Sequence, residues 1–169
     1  MIKERVVSAA VIALCLGILV FGMSSGKSLD RYVPGDVEEK QLIELIREFH
    51  FSRKDYDPKR YLSCLSGSGR FMFAGSPMLL KKDLEKRLPG FWTDLKSGNM
   101  AARAFSRESL NGNFLDGDLY DPVIRIEGRK AHAELKFVAS ILRWTRRLFL
   151  DFEKTDGRWL ISRLEWEMG

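Results

Sequence analysis

The chain has 169 residues, 45% of them hydrophobic and 30% charged, which fits one globular domain and excludes a disordered or collagen-like chain. Lysine and arginine number 28 against 23 acidic residues, and the resulting charge of +5 is a mild excess that defines no partner by itself. Two cysteines exclude a disulfide framework, and no Cys/His cluster has the spacing of a tetrahedral zinc site, so neither metal nor cofactor is expected.

From Val6 to Met23 there are 18 positions without a charged residue. As a helix this run reaches about 27 Å, close to the thickness of a hydrocarbon core. Lys3 and Arg5 precede it, which biases the tail of residues 1–5 to the cytoplasmic side and the rest of the chain to the outside. The competing reading is a cleavable signal peptide with Gly22-Met23-Ser24 as its exit, which leaves a secreted or periplasmic domain. The length of the run favours a retained single-pass anchor over residues 6–23. Cys15 lies inside it, so Cys64 is the one thiol of the remaining chain, and its leucine neighbours mark it as a packed, small hydrophobe.

Residues 24–36 are polar with a Pro-Gly turn and read as a linker, ending in a helix cap at Asp36. The domain proper is 37–169. Leu42, Leu45, Ile46 and Phe49 follow at helical spacing, with acidic residues in the first turn. Asp57-Pro58 opens a second helix running to about Leu65, which Gly67-Ser68-Gly69 stops. A third helical stretch starts near Pro77 or Met78, carries Leu79, Leu80, Leu84 and Leu88, and kinks or restarts at Pro89-Gly90.

After Met100 the period changes from helical to alternating. Met100 to Leu110 reads as a strand, and the glycine-rich stretch around Asn111-Gly112-Asn113 and Asp116-Gly117-Asp118 as a loop. A hairpin with a tight glycine turn then joins Val123–Glu127 to a strand starting at Lys130 and running to about Trp144. A second hairpin pairs Leu148–Lys154 with Arg158–Met168. Helices first and long strands afterwards imply an α+β domain, with helices covering one face of an antiparallel sheet. The apolar stripes pair Leu42, Leu45, Ile46 and Phe49 with Leu148, Leu150, Leu160, Leu164 and Trp166 in one core.

The spacing of Val123, Gly128, Ala131, Ala133 and Leu135, followed by Asp156-Gly157-Arg158-Trp159 and Trp166, resembles the nuclear transport factor 2-like superfamily. The resemblance implies a cystatin-like cone, in which three helices pack on a strongly curved antiparallel sheet around a pocket. Joined to an N-terminal anchor, it is similar to the periplasmic assembly factors of type IV secretion systems. Catalytic members such as ketosteroid isomerases and polyketide cyclases place a carboxylate beside a tyrosine or second acid in an apolar pocket. No such pair can be carried onto this chain: Asp55 and Asp57 fall in a polar loop, and Asp151, Glu165 and Glu167 fall off the apolar parity.

The function expected is therefore binding, by an extracytoplasmic domain held to the membrane through Val6 to Met23. The candidate partners are a protein, a second copy of the chain, or a small apolar ligand in the cone; the alternative is an isomerase or dehydratase. The basic run Arg143-Trp144-Thr145-Arg146-Arg147 has the composition of a nucleic-acid contact, but an extracytoplasmic location argues against nucleic acid; an anionic lipid surface or an acidic patch on a partner fits it better, and a solvated turn best. Within it, Trp144 and Arg146 share the apolar parity, where a guanidinium serves as an anion anchor rather than a proton shuttle. Ser162 shares the face of Leu160, Leu164 and Trp166. His50 extends the Leu42 and Ile46 row by one turn, at a helix C-terminus where its charged form is favoured. His132 alternates with alanines and falls on a solvated face with Glu134 and Lys136.

Overall fold

The structure, a computed structural model, describes residues 26–72, 78–97, 117–139 and 145–167, the side chain of Leu95 aside. Asp36 caps the first helix, α1 (Val37–Lys54), by accepting a hydrogen bond from the Glu39 N–H at 2.8 Å. The face that α1 buries is Leu42, Ile43, Ile46, Phe49, His50 and Arg53. Ile43 rather than Leu45 completes the stripe, and Leu45 is half-buried at its margin.

Asp57 caps α2 (Pro58–Ser63) through the Lys59 and Arg60 N–H groups, both at 3.0 Å. Cys64 ends this helix, fully buried, and burial pushes its thiol up to about 11, so it behaves as a hydrophobe. The Gly-Ser-Gly stretch does not end in a loop. It lies within strand β1 (Leu65–Phe71), which pairs with the two-residue strand β2 (Leu79–Leu80). The third helix, α3, starts at Lys81 and runs to Ser97 with Pro89 inside it, so no break divides it there. The two leucines expected in its first turn belong to β2 instead.

Four long strands follow: β3 (Gly117–Glu127), β4 (Lys130–Ala139), β5 (Thr145–Thr155) and β6 (Arg158–Trp166). The expected loop at Asp116-Gly117-Asp118 thus already contains the start of β3, and the strand expected from Met100 to Leu110 lies outside the described residues. The sheet order is β2-β1-β6-β5-β4-β3. Every pairing is antiparallel except β1 with β6, which is parallel and makes the sheet mixed rather than antiparallel throughout.

Both hairpin turns follow from residues that tolerate positive φ. Gly128 at +61° opens the β3–β4 turn, and Asp156 at +51° with Gly157 at +78° makes the β5–β6 turn. Two positive φ angles in succession match the right-handed twist of paired strands, and glycine is the residue that adopts them without a steric penalty. Gly157→Ala should lower stability by about 1 kcal/mol through this strain alone, since nothing lies within 4 Å of the added Cβ. Urea unfolding measures it, and an unchanged midpoint would show that the turn relaxes freely.

Helices and sheet share one core. Leu84, Leu88 and Trp92 of α3 are buried in it, and Tyr61 of α2 packs between Phe49 (5.0 Å between ring centroids) and Trp92 (5.2 Å, edge-on). From the sheet come Leu135, Phe137, Leu148, Leu150, Phe152, Leu164 and Trp166. Leu160, expected among them, is only half-buried, because β6 carries a bulge: Phe152 pairs with Ile161 but Asp151 pairs with Arg163. The extra residue, Ser162, flips the alternation, so that Trp159 and Ile161 face inward on one side of it and Leu164 and Trp166 on the other.

Lys27, Ser28 and Leu29, in the segment read as a linker, are docked on the domain. Ser28 bridges Tyr120 in antiparallel fashion, the Asp121 N–H donates to the Lys27 carbonyl at 2.9 Å, and the Asp121 carboxylate accepts from the Lys27 N–H at 2.8 Å. Leu29, in a single 3-10 turn (Leu29–Arg31), is 3% exposed, and Arg47 of α1 donates to its carbonyl at 2.8 Å. One apolar side chain with satisfied backbone groups is enough to order a short polar strap.

Candidate binding surfaces

The described buried residues are apolar or aromatic, apart from His50, Ser52, Arg53 and Ser66. No carboxylate is buried among the described residues, which removes the usual proton acceptor from that part of the interior. Arg53 follows Phe49 by one turn on the buried row of α1. Its guanidinium lies 5.4 Å from the Phe49 ring and 5.5 Å from the Trp166 ring, and burial holds its pKa down at about 10.

His50 is 4% exposed, and its Nε2 stands 3.8 Å from the Asp118 carboxylate that Lys54 binds at 2.6 Å. Its buried Nδ1 has no hydrogen-bond partner. Burial first, then the charges of Arg53 and Lys54, push the imidazole down to about 3, against a weaker opposing pull from Asp118. The helix-end position was expected to favour the charged ring; desolvation outweighs the dipole and keeps it neutral.

The outer side of the sheet is polar. His132 of β4 pairs with Asp151 of β5 at 2.6 Å, and Arg163 of β6 approaches the other oxygen of Asp151 at 3.9 Å. Glu153 accepts from the hydroxyls of Ser66 and Ser68 across the parallel seam. His132, Asp151 and Glu153 border a groove of about 450 Å³, lined also by Arg125, Lys130 and Ser162. A second groove, of about 430 Å³, is bordered by Asp121, Val123, Lys136 and Arg147, and also by Arg146, which has the opposite parity in β5.

The three candidate residues among those described do not converge. Arg146 stands opposite Phe137 on the inner parity, half-buried, and donates to the Glu167 carbonyl at 3.3 Å. Ser162 lines the first outer groove rather than the face of Leu164 and Trp166, a consequence of its own bulge. His50 borders a small cavity of about 70 Å³ beneath the strap, with Leu29, Arg47 and Asp118. Trp144 lies outside the described residues. The His132–Asp151 pair was missed because only the β4–β5 register sets the two residues opposite each other. Arg53 had a readable signal, its i+4 spacing from Phe49.

The fold is similar to that of solved nuclear transport factor 2-like and cystatin-like proteins, a likeness of fold that carries no activity. A putative calcium/calmodulin dependent protein kinase II association domain from Xanthomonas campestris matches with a TM-score of 0.56 at 15% identity, over 85% of this chain and 95% of its own. A protein of unknown function with a cystatin-like fold from Nostoc punctiforme matches at 0.54 and 16%, covering 79% and 93%. An NTF2-like protein from Cytophaga hutchinsonii matches at 0.52 and 12%, covering 78% and 98%. No protein-family model and no curated protein matches the sequence.

Proposed function

We propose that the chain is a membrane-anchored binding domain, held by residues 6–23 with its folded part outside the cytoplasm, which recognises a protein on the outer face of its sheet. The observation that carries this reading is the division of chemistry between the two faces. The described interior is closed with apolar and aromatic side chains and holds no carboxylate, whereas the outer groove around His132, Asp151, Glu153 and Arg125 offers donors and acceptors at an accessible surface. Paired charges of both signs favour recognition of a specific polar partner over a small apolar ligand. The association domain among the similar structures supports including a second copy of the chain among the candidate partners. Among the described residues no helix is long and apolar enough to cross a membrane, so the anchor rests on the composition of residues 6–23, which lie outside them.

Two readouts from one preparation test the proposal. The full chain should stay with membranes through an alkaline wash and be digested by protease added from the outside. A photo-crosslinking residue in place of Arg125 should then give one discrete protein adduct, and the same residue in place of Phe71 none. Recovery in the soluble cytosol, or a mature N-terminus near Ser25, overturns the anchor. An outer face that yields no adduct overturns the binding site.

A further inference from the structure

Gly26, in the docked strap, packs its α-carbon so closely on Asp121 that an added Cβ would meet the carboxylate at 2.7 Å. Resting on the anchor proposed above, only three residue steps separate Met23 from Gly26, a reach of at most about 11 Å. The strap cannot easily lengthen this tether. Releasing it breaks both Lys27–Asp121 hydrogen bonds and exposes Leu29, now 3% accessible. The part of the domain around Asp121 is therefore held within about one headgroup layer of the bilayer, while the β3–β4 turn lies roughly 20 Å further along the strand.

The surface at this end suits lipid headgroups. Val123 is 53% exposed, and Lys136, Arg146 and Arg147 border the same groove as Asp121 and Val123. Three of the carboxylates nearby are engaged, Asp121 with the Lys27 N–H, Asp118 with Lys54 at 2.6 Å and Glu134 with Arg147 at 3.2 Å, and Glu167 also borders the groove. Near-balanced charge gives weak affinity for a free vesicle. A tether this short makes the contact intramolecular, so weak affinity suffices.

We infer that the groove of Asp121, Val123, Lys136, Arg146 and Arg147 is the membrane-apposed surface of the domain, seated on the lipid headgroups of the bilayer that holds residues 6–23. The groove of His132 and Asp151 is thereby left at the membrane-distal end for a protein partner.

The full purified chain, reconstituted into phosphatidylcholine vesicles with and without phosphatidylglycerol, tests this when a trace lipid carries a photoactivatable headgroup. Peptides spanning 117–123 and 145–147 should carry about tenfold more lipid adduct than those spanning 127–130 and 155–158, as the local concentration set by the tether requires. Enrichment in both lipids, or only with phosphatidylglycerol, supports the surface and separates apposition by the tether from attraction by charge. A chain that floats with the vesicles but shows equal labelling at both ends, or labelling at the far turns, overturns the surface and leaves the anchor standing. A chain that does not float overturns the anchor and the surface with it. Because no other protein is present, a membrane-embedded partner needed to seat this end would appear as the equal-labelling result.

Discussion

Trp166→Ala is expected to cost about 3–5 kcal/mol of folding stability, the range for truncating a large aromatic side chain in a core that cannot collapse around the gap. Trp166 is 2% exposed, stands opposite Leu148 across the β5–β6 ladder, meets the Phe137 ring edge-on at 5.5 Å, and lies under the Arg53 guanidinium. Truncation removes contacts from three elements at once and deprives a buried cation of one of its aromatic faces. Equilibrium urea unfolding followed by circular dichroism should show a large fall in midpoint with an unchanged slope. A loss below about 1 kcal/mol would falsify the inward assignment of the β6 residues beyond the Ser162 bulge.

Stability should also fall as the solution is acidified from pH 7 to pH 5, because of His50. In the folded chain the ring stays neutral until about pH 3, while in the unfolded chain it takes up a proton near its ordinary value of 6.5. The unfolded state thus binds the extra proton between these limits. The stabilisation is complete above about pH 6.5 and is lost progressively as pH falls toward 3. At about 1.4 kcal/mol per pH unit, the loss between pH 7 and pH 5 is about 2 kcal/mol. Glu38, Glu48 and Asp118, whose partners hold them below the ordinary carboxylate range, act in the same direction but at lower pH. The assignment is checked with His50→Gln, whose urea midpoint should change by much less across the same interval. An equal change in both proteins would place the sensitive group elsewhere.

The candidate site was less legible in the sequence than the fold, for a reason visible at individual residues. His132 was readable as an outward residue because its neighbours Ala131 and Ala133 are the inward ones. That it faces Asp151 required the register of two strands whose connection, residues 140–144, carries no turn motif that sets a pairing. Ser162 was misplaced for a related reason. A bulge costs the sequence one residue with no distinctive composition, yet it moves every later side chain to the other face. His50 was readable by position and misread by charge, since a helix-end dipole is local whereas burial under the strap depends on Leu29, some twenty residues earlier.

What the sequence alone determined is whatever short-range physics controls: the caps at Asp36 and Asp57, the buried stripe of Leu42, Ile46 and Phe49, the positive-φ turns at Gly128 and Gly157, the last hairpin with its tryptophan-bearing second arm, and the apolar composition of residues 6–23. Tertiary structure alone decided the parallel seam between β1 and β6, the reversal of β6 at Ser162, the docking of the strap on Tyr120 and Asp121, and the neutral state of His50. Each of the second group depends on residues far apart in the chain, where a single register step or one buried leucine outweighs local propensity, and such balances are struck only when the elements pack.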